Sequence, residues 1–192
     1  MTTQSLDEVY SHVKSVLDSS EINIISIDGW TGSGKSHFLD NFEIEANKLS
    51  IDDYFERHTG LYLDVIRYDE LKKAISEVDG LIIIEGICIL EVLDNIGINP
   101  DIKIYIKRLG AGETWFEEEY INEKTAEDVF KEDDKDLEYD IVTGEKRVIS
   151  DIEKELTKKR QGVFYDLVRY HYEYTPHINS DVIYERIDEP KE

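Results

Sequence analysis

The stretch that decides the fold is Gly29-Trp30-Thr31-Gly32-Ser33-Gly34-Lys35-Ser36, which fits the phosphate-binding pattern G-x-x-x-x-G-K-[ST] at every position. The apolar run before it, residues 22–27, is typical of a buried strand, and residues 36–42 after it have the pattern of a helix. Glycines let such a loop curve closely enough for its backbone N–H groups to point at phosphate oxygens. The sequence therefore predicts a nucleoside-triphosphate site between a strand and a helix.

The loop also predicts how the nucleotide would be held. We expect Lys35 to neutralise the β- and γ-phosphates and the Ser36 hydroxyl to ligate Mg²⁺. The expected cofactors are accordingly ATP and Mg²⁺, with GTP left open as the donor. The predicted nucleotide contacts are Gly29, Thr31, Gly32, Ser33, Gly34, Lys35, Ser36 and His37.

Strand-like and helix-like segments alternate along the chain. Besides 22–28, strands are expected at 48–51, 81–84, 102–106 and 182–184. Helices are expected at about 5–18, 36–46, 68–78, 87–95 and 150–174. This alternation predicts an α/β fold of βαβ units, in which helices cover both faces of a parallel sheet. We expect a single domain over 1–192, with a lid or an insertion at 110–160.

The composition indicates which partners and which cellular compartment to expect. The chain of 192 residues has a formal net charge of −22, from 22 basic and 44 acidic residues, which disfavours nucleic acid and anionic membranes as partners. No apolar run approaches the ~20 residues that span a bilayer, and we expect no signal peptide. The single cysteine, Cys88, excludes an intrachain disulfide. We expect a cytoplasmic protein with a small-molecule substrate, and a homodimer stays open as its assembly.

Several acidic residues are expected at the carboxyl edge of the sheet, where ligands bind in such folds. Asp52 and Asp53 follow the second predicted strand; we interpret Asp52 as the base for an acceptor hydroxyl, with Asp53, or simple capping of a turn, as alternatives. Glu85 ends the most apolar strand and is interpreted as a Mg²⁺ ligand, direct or through water, or as a hydrogen-bond partner of the loop. Asp28 is a candidate for the same two roles, as a Mg²⁺ ligand or as a hydrogen-bond partner of the loop. A residue at this position more often has the second role and braces the loop.

Cations and aromatic residues complete the predicted site. Lys158-Lys159-Arg160 is expected to close over the nucleotide, with Arg160 contacting phosphate oxygens, unless this cluster is only a solvated surface. Lys107, Arg108 and Arg169 are further candidates. Aromatic residues on the acceptor side would stack on a flat substrate or pack in the core; they are Tyr54, Phe55, Tyr62 and Tyr68.

In this order and spacing, the motifs resemble the uridine kinase / phosphoribulokinase / pantothenate kinase branch of P-loop kinases. The similar segments are 32–36, 49–55, 83–86 and 181–183. The resemblance implies a P-loop NTPase three-layer fold, a five-stranded sheet of order 2-3-1-4-5, MgATP as donor and a small hydroxyl-bearing acceptor. It also implies that Asp52 is the base.

The chain departs from that family in two places. Residues 114–120 are acidic where relatives have an Arg-rich lid helix, and His37 replaces a second hydroxyl residue. Acceptor contacts are predicted at Asp53, Tyr54, Asp64 and Arg67. We therefore expect a kinase that moves the γ-phosphate of ATP to a hydroxyl of a nucleoside or similar metabolite, with Lys35, Asp52 and Arg160 as catalytic residues. The alternatives are a kinase for another small acceptor, such as a sugar or vitamin precursor, and a nucleotide-binding regulatory protein with weak or lost transfer.

Overall fold

The computed structural model describes residues 1–55, 61–110, 113–115, 117–121 and 162–187. Its strands are β1 (Thr2–Thr3), β2 (Ile24–Gly29), β3 (Asn47–Ser50), β4 (Ile82–Glu85), β5 (Ile102–Leu109) and β6 (Val182–Ile187). Its helices are α1 (Leu6–Ser19), α2 (Lys35–Asp40), α3 (Tyr68–Ser76), α4 (Ile89–Asn95), α5 (Glu118–Ile121), α6 (Gly162–Tyr174) and α7 (Pro176–Asn179). Two 3₁₀ turns, Ile51–Tyr54 and Leu63–Val65, lie between β3 and α3.

The strands form one sheet in the order β1-β6-β5-β2-β4-β3, and every pairing is parallel. The prediction of five strands in the order 2-3-1-4-5 is therefore wrong in its count and at one edge, where β1 pairs with β6. Only Thr2 and Thr3 take part in that pairing, which is too short for a periodic pattern in the sequence. Among themselves, the other five strands have the neighbours that the family resemblance implied.

Helices cover both faces of the sheet, because its central strands are apolar on both sides. All four residues of β4 are buried. Ile82 and Ile84 belong to a core with residues of α3, α4 and α6, whereas Ile83 belongs to a second core with residues of α1 and α2. None of the described helices combines the length and the apolar character needed to cross a bilayer.

The ends of two helices show how local signals and tertiary structure compete. Helix α1 begins where the sequence predicted, because the side chain of Ser5 accepts a hydrogen bond of 3.3 Å from the backbone N–H of Glu8. Helix α2 was expected to reach residue 46 and ends at Asp40 instead. The Lys48 ammonium donates to the carbonyl of Leu39, at 2.5 Å. This hydrogen bond gives a partner to one of the carbonyl groups that lack one at the end of a helix. Of the predicted helix 150–174, the part before Gly162 lies outside the described residues.

Candidate functional site

The loop between β2 and α2 has a backbone that requires its glycines. Gly32 and Gly34 have φ angles of 77° and 97°, in the left-handed region that side chains other than glycine rarely adopt. A Cβ atom added at Gly29 would lie 2.6 Å from the carbonyl oxygen of Ile106 in the neighbouring strand. The pattern of glycines is thus dictated by how closely the loop curves and packs on β5.

Lys35 lies inside the curve of this loop. Its ammonium donates to the carbonyl oxygens of Gly29 and Trp30, both at 3.0 Å, and only 8% of the residue is exposed. Burial lowers the pKa of Lys35, while the carboxylates of Asp28 and Glu85 raise it. An ammonium has three protons, so one remains beyond the two carbonyls of the described contacts. The loop therefore presents a positive charge at its centre.

A cavity of about 460 Å³ opens beside the loop and joins it to the ends of β3 and β4. Its wall on the loop side is made by Thr31, Gly32, Gly34, Lys35, Ser36 and His37. Its other wall is made by Asp52, Phe55, Tyr62, Glu85, Gly86, Ile87 and Val163. Gly29 and Ser33, also predicted as nucleotide contacts, are buried within the loop and are not among these lining residues.

Glu85 connects the loop to the second wall of this cavity. It is 4% exposed, and its Oε1 accepts hydrogen bonds from the hydroxyls of Ser36, at 3.3 Å, and Ser50, at 2.6 Å. Glu85 therefore forms the hydrogen bond to the loop that was one of its predicted roles, through the hydroxyl of Ser36. The described residues contain no cluster of three or more His, Cys, Asp or Glu side chains arranged for a metal ion. A hydroxyl and a carboxylate suit Mg²⁺ when phosphate oxygens or water supply its remaining ligands.

The structure separates the two acidic residues that follow β3. Both residues are exposed, but Asp52 lines the cavity and Asp53 is not among the lining residues. The backbone carbonyl of Asp53 accepts a hydrogen bond of 2.7 Å from the Arg67 guanidinium. The 3₁₀ turn at Ile51–Tyr54 produces this difference, because it rotates successive side chains apart. Position in the cavity thus favours Asp52 over Asp53 as the residue near an acceptor.

The other predicted acceptor residues do not line the cavity. Arg67 donates through its backbone N–H to the carbonyl of Tyr54, at 2.9 Å, and forms an ion pair with Glu70, at 3.0 Å. Asp64 is exposed on the second 3₁₀ turn. Among the described residues, Tyr54, Asp64 and Arg67 are not part of the cavity wall. Arg160 lies outside the described residues.

Two aromatic side chains do reach the cavity. The rings of Phe55 and Tyr62 stack with centroids 5.1 Å apart and planes at 26°. Tyr62 is buried and Phe55 is half-buried, so the stacked pair gives the cavity wall an apolar surface. Such a surface is suited to a flat acceptor.

Asp28 braces the start of the loop from inside the core, which is one of the two roles that the sequence left open. Its Oδ1 accepts from the backbone N–H of Gly29 at 2.7 Å, and its Oδ2 accepts a short hydrogen bond from the hydroxyl of Tyr170 in α6. Burial raises the pKa of Asp28 to about 7, although Tyr170, the Gly29 N–H and Lys35 oppose this rise. The sequence offered no signal for Tyr170, because 142 positions separate it from Asp28.

Replacing Asp28 by Asn should change how stability depends on pH. The carboxyl titrates at about 7 in the folded chain against a reference value of 3.8, so the folded state binds an extra proton between these values. Folding stability from this group therefore falls as pH rises through that window. We expect the Asp28→Asn variant to gain up to about 1.4 kcal/mol per pH unit over the parent chain between pH 5 and 7, measured by urea unfolding.

Asp64→Asn is the matched control for that measurement, because Asp64 is an exposed carboxylate. Its stability difference from the parent chain should be nearly the same at both pH values. A pH-independent difference for Asp28→Asn would show that the buried carboxyl does not hold a proton in the folded state.

Arg186 is a residue near the loop that sequence reasoning missed. Its Nη1 donates to the carbonyl oxygen of Ser33 at 2.9 Å, and it lies 2.0 Å from where a Cβ atom of Gly34 would be. Nη1 of Arg108 lies 3.8 Å from the corresponding position at Gly32. Arg186 is half-buried at the end of β6, where its position in a short strand gave no signal.

Gly86 packs closely against Ile51, the residue that precedes Asp52. A Cβ atom at Gly86 would lie 2.8 Å from Cγ1 and 2.9 Å from Cβ of Ile51, the residue before Asp52. We expect Gly86→Ala to cost about 1–3 kcal/mol of folding free energy by overpacking, as measured by denaturant unfolding. It should also displace Asp52 and lower any turnover. An unchanged unfolding midpoint would contradict the close contact with Ile51.

The chain was compared with models of protein families and with curated proteins, and neither comparison gave a match. Its function is therefore inferred from the residues of the site. Those residues include a loop with a buried lysine and a carboxylate, Asp52, which line the same cavity.

Proposed function

We propose that this chain is a P-loop kinase that transfers the γ-phosphate of ATP to a hydroxyl group of a nucleoside or a similar small metabolite. The observation that carries the proposal is the cavity of about 460 Å³ that Lys35 and Asp52 both line. One wall suits an anion, and the other offers a proton acceptor. The parallel sheet, with the loop between its central strand β2 and helix α2, supports the P-loop fold.

In this proposal the loop residues bind the triphosphate. The backbone N–H groups around Gly32 and Gly34 would direct their dipoles at phosphate oxygens, and Lys35 would stabilise charge on the β- and γ-phosphates. Ser36 and Glu85 would hold Mg²⁺, whose charge would offset that of the phosphates. Arg160 would contact the transferred group from the segment outside the described residues.

Asp52 would take the proton of the acceptor hydroxyl. As the bond forms between the acceptor oxygen and the γ-phosphorus, the bond from that phosphorus to the β,γ-bridging oxygen breaks and ADP leaves. The proton goes from the acceptor hydroxyl to the carboxylate of Asp52. This role is supported by the position of Asp52, which lines the same cavity as Lys35.

The second wall indicates the class of acceptor. Phe55, Tyr62, Ile87 and Val163 give it an apolar part, which suits a flat ring such as a nucleobase. Asp52 and Glu85 make its polar part acidic, which disfavours an acceptor that already carries a phosphate. A neutral nucleoside fits both parts.

An acceptor screen tests the proposal. The purified chain would be incubated with Mg²⁺ and either ATP or GTP, together with pools of nucleosides, sugars and vitamin precursors, and ADP or GDP formation would be measured. We expect acceptor-dependent product with the nucleoside pool. If product forms only with the sugars or the vitamin precursors, the acceptor belongs to that class instead of the nucleosides. Triphosphate binding without acceptor-dependent product would favour a regulatory protein. A chain that binds neither triphosphate would contradict the proposal.

A further inference from the structure

Tyr62 brings a buried hydroxyl group to the cavity beside the loop. The residue is 3% exposed and is among those that line the cavity. Its hydroxyl is buried and has no hydrogen-bond partner among the described residues. A buried hydroxyl without a partner is unfavourable, because it has given up its hydrogen bonds to water and gained none in return. The position of this group therefore calls for a physical reason.

Two other buried tyrosines show the usual arrangement. The hydroxyl of Tyr105 is hydrogen-bonded to Nε2 of His171 at 2.9 Å, and the hydroxyl of Tyr170 donates to Asp28. Neither Tyr105 nor Tyr170 lines the cavity. Of these three buried tyrosines, the one whose hydroxyl lacks a partner is thus the one at the cavity, where a bound molecule can supply the partner.

The side chain of Tyr62 is held in place before any molecule binds. Its ring stacks on that of Phe55, with centroids 5.1 Å apart. The backbone N–H of the next residue, Leu63, donates to Oδ2 of Asp166 in helix α6 at 3.4 Å, and Asp166 is 2% exposed. A donor that is already positioned loses little conformational entropy when a ligand meets it.

The surroundings of the Tyr62 hydroxyl keep it protonated. Burial raises the pKa of Tyr62, and the nearby Asp52, Cys88 and Glu85 raise it further. The group is therefore available as a hydrogen-bond donor. Because carboxylates lie near it, a neutral oxygen suits this place better than a phosphate or a carboxylate does.

We propose that the hydroxyl of Tyr62 donates a hydrogen bond to a second hydroxyl group of the acceptor molecule, beside the hydroxyl that Asp52 would deprotonate. This inference rests on the proposed function, because it names a positioning residue for the acceptor in the same site. A hydrogen bond to the reacting oxygen itself would withdraw electron density from the attacking atom, so a neighbouring hydroxyl is the more suitable partner. Tyr62 would thus select acceptors with at least two hydroxyl groups.

The test is Tyr62→Phe, which keeps the ring and removes one oxygen atom. The four common ribonucleosides would be used as acceptors with MgATP. We expect the KM of the best of them to rise about 10-fold, which is the usual effect of losing one buried hydrogen bond, while kcat stays within about threefold. The affinity for MgATP, measured by calorimetry, should not change.

The stability of the free chain gives a second measurement. The urea midpoint of Tyr62→Phe should equal or exceed that of the parent chain, because the hydroxyl has no described hydrogen bond to lose. A hydroxyl with a structural partner would instead lower the midpoint when it is removed.

The 2′,3′-dideoxy form of the same nucleoside identifies the group that Tyr62 contacts. Its inhibition constant in the parent chain should exceed the KM of the ribonucleoside, because the second hydroxyl is missing. In Tyr62→Phe this ratio should fall about 10-fold, since the donor is then absent in both measurements.

Tyr174→Phe is the matched control. It removes the same atom from a tyrosine whose hydroxyl donates to Asp94 at 3.2 Å and which does not line the cavity. Its KM for the nucleoside and its ratio of the two constants should equal those of the parent chain.

Four results would overturn the inference. A lower urea midpoint for Tyr62→Phe with a normal KM would assign its hydroxyl to folding, and a loss of MgATP affinity would assign it to the donor. An unchanged KM or an unchanged ratio would show that it does not contact a second hydroxyl, while product formation by the parent chain would leave the proposed function standing. If the parent chain forms no product with any of the four nucleosides, the nucleoside assignment fails and the inference fails with it.

Discussion

Replacing Lys35 by Ala should reduce affinity for MgATP by at least about 100-fold and abolish detectable phosphate transfer, because a buried charge that contacts phosphates contributes several kcal/mol. The ammonium is held at the centre of the loop by two carbonyl groups, at 3.0 Å each. Its loss removes the positive charge in a chain whose formal net charge is −22. Calorimetry would measure the affinity, and ADP formation would measure transfer.

Lys48→Ala is the control for this experiment. The ammonium of Lys48 also donates to a backbone carbonyl, that of Leu39 at 2.5 Å, but it is not part of the cavity wall. The control removes one lysine and one hydrogen bond of the same type without touching the loop. Equal losses in the two variants would mean that stability or net charge, rather than contact with phosphate, explains the effect of Lys35→Ala.

Asp52→Asn should leave ATP affinity within about threefold of the parent value and lower kcat by about 100- to 10,000-fold, which is the usual contribution of a general base. Asn keeps the size of the side chain and loses its ability to take a proton. Steady-state kinetics with the best acceptor from the screen would give kcat, and calorimetry would give the ATP affinity.

The neighbouring residue provides the comparison for that variant. Asp53→Asn makes the same chemical change one position further along, on a side chain that is exposed and not part of the cavity wall. Its kcat should stay close to that of the parent chain. A larger loss for Asp53→Asn would exchange the two assignments, and a parallel loss of ATP binding and turnover in Asp52→Asn would remove Asp52 as the base.

The parts of the fold that could be predicted are those that short-range chemistry dictates. The glycines of residues 29–34 specify a tight loop by their positive φ angles, and the apolar run of β4 is buried on both faces, as such runs are in parallel sheets. The N-cap of α1 follows from Ser5 and Glu8, three residues apart. Placing Asp52 and Glu85 at the same edge required only the rule that parallel strands end together.

The parts that could not be predicted depend on contacts between distant residues. Arg186 reaches Ser33 across 153 positions, and nothing in the pattern of β6 distinguishes it from a surface arginine. Strand β1 contributes two residues to the sheet, which is below the length at which alternation can be recognised. Helix α2 ends early, at Asp40, where the side chain of Lys48 from β3 donates to the carbonyl of Leu39. Helix propensity alone would let the helix continue, so its end could not be predicted.

The hydrogen bond between Tyr170 and Asp28 has a consequence for the biosynthesis of this chain. During translation, the whole glycine turn is made more than a hundred codons before Tyr170, whose hydroxyl bonds to Asp28 at the start of the turn. Nascent intermediates would therefore expose this turn without its support from helix α6. The turn thus acquires the support of Asp28 and Tyr170 only when helix α6 has been made and has docked.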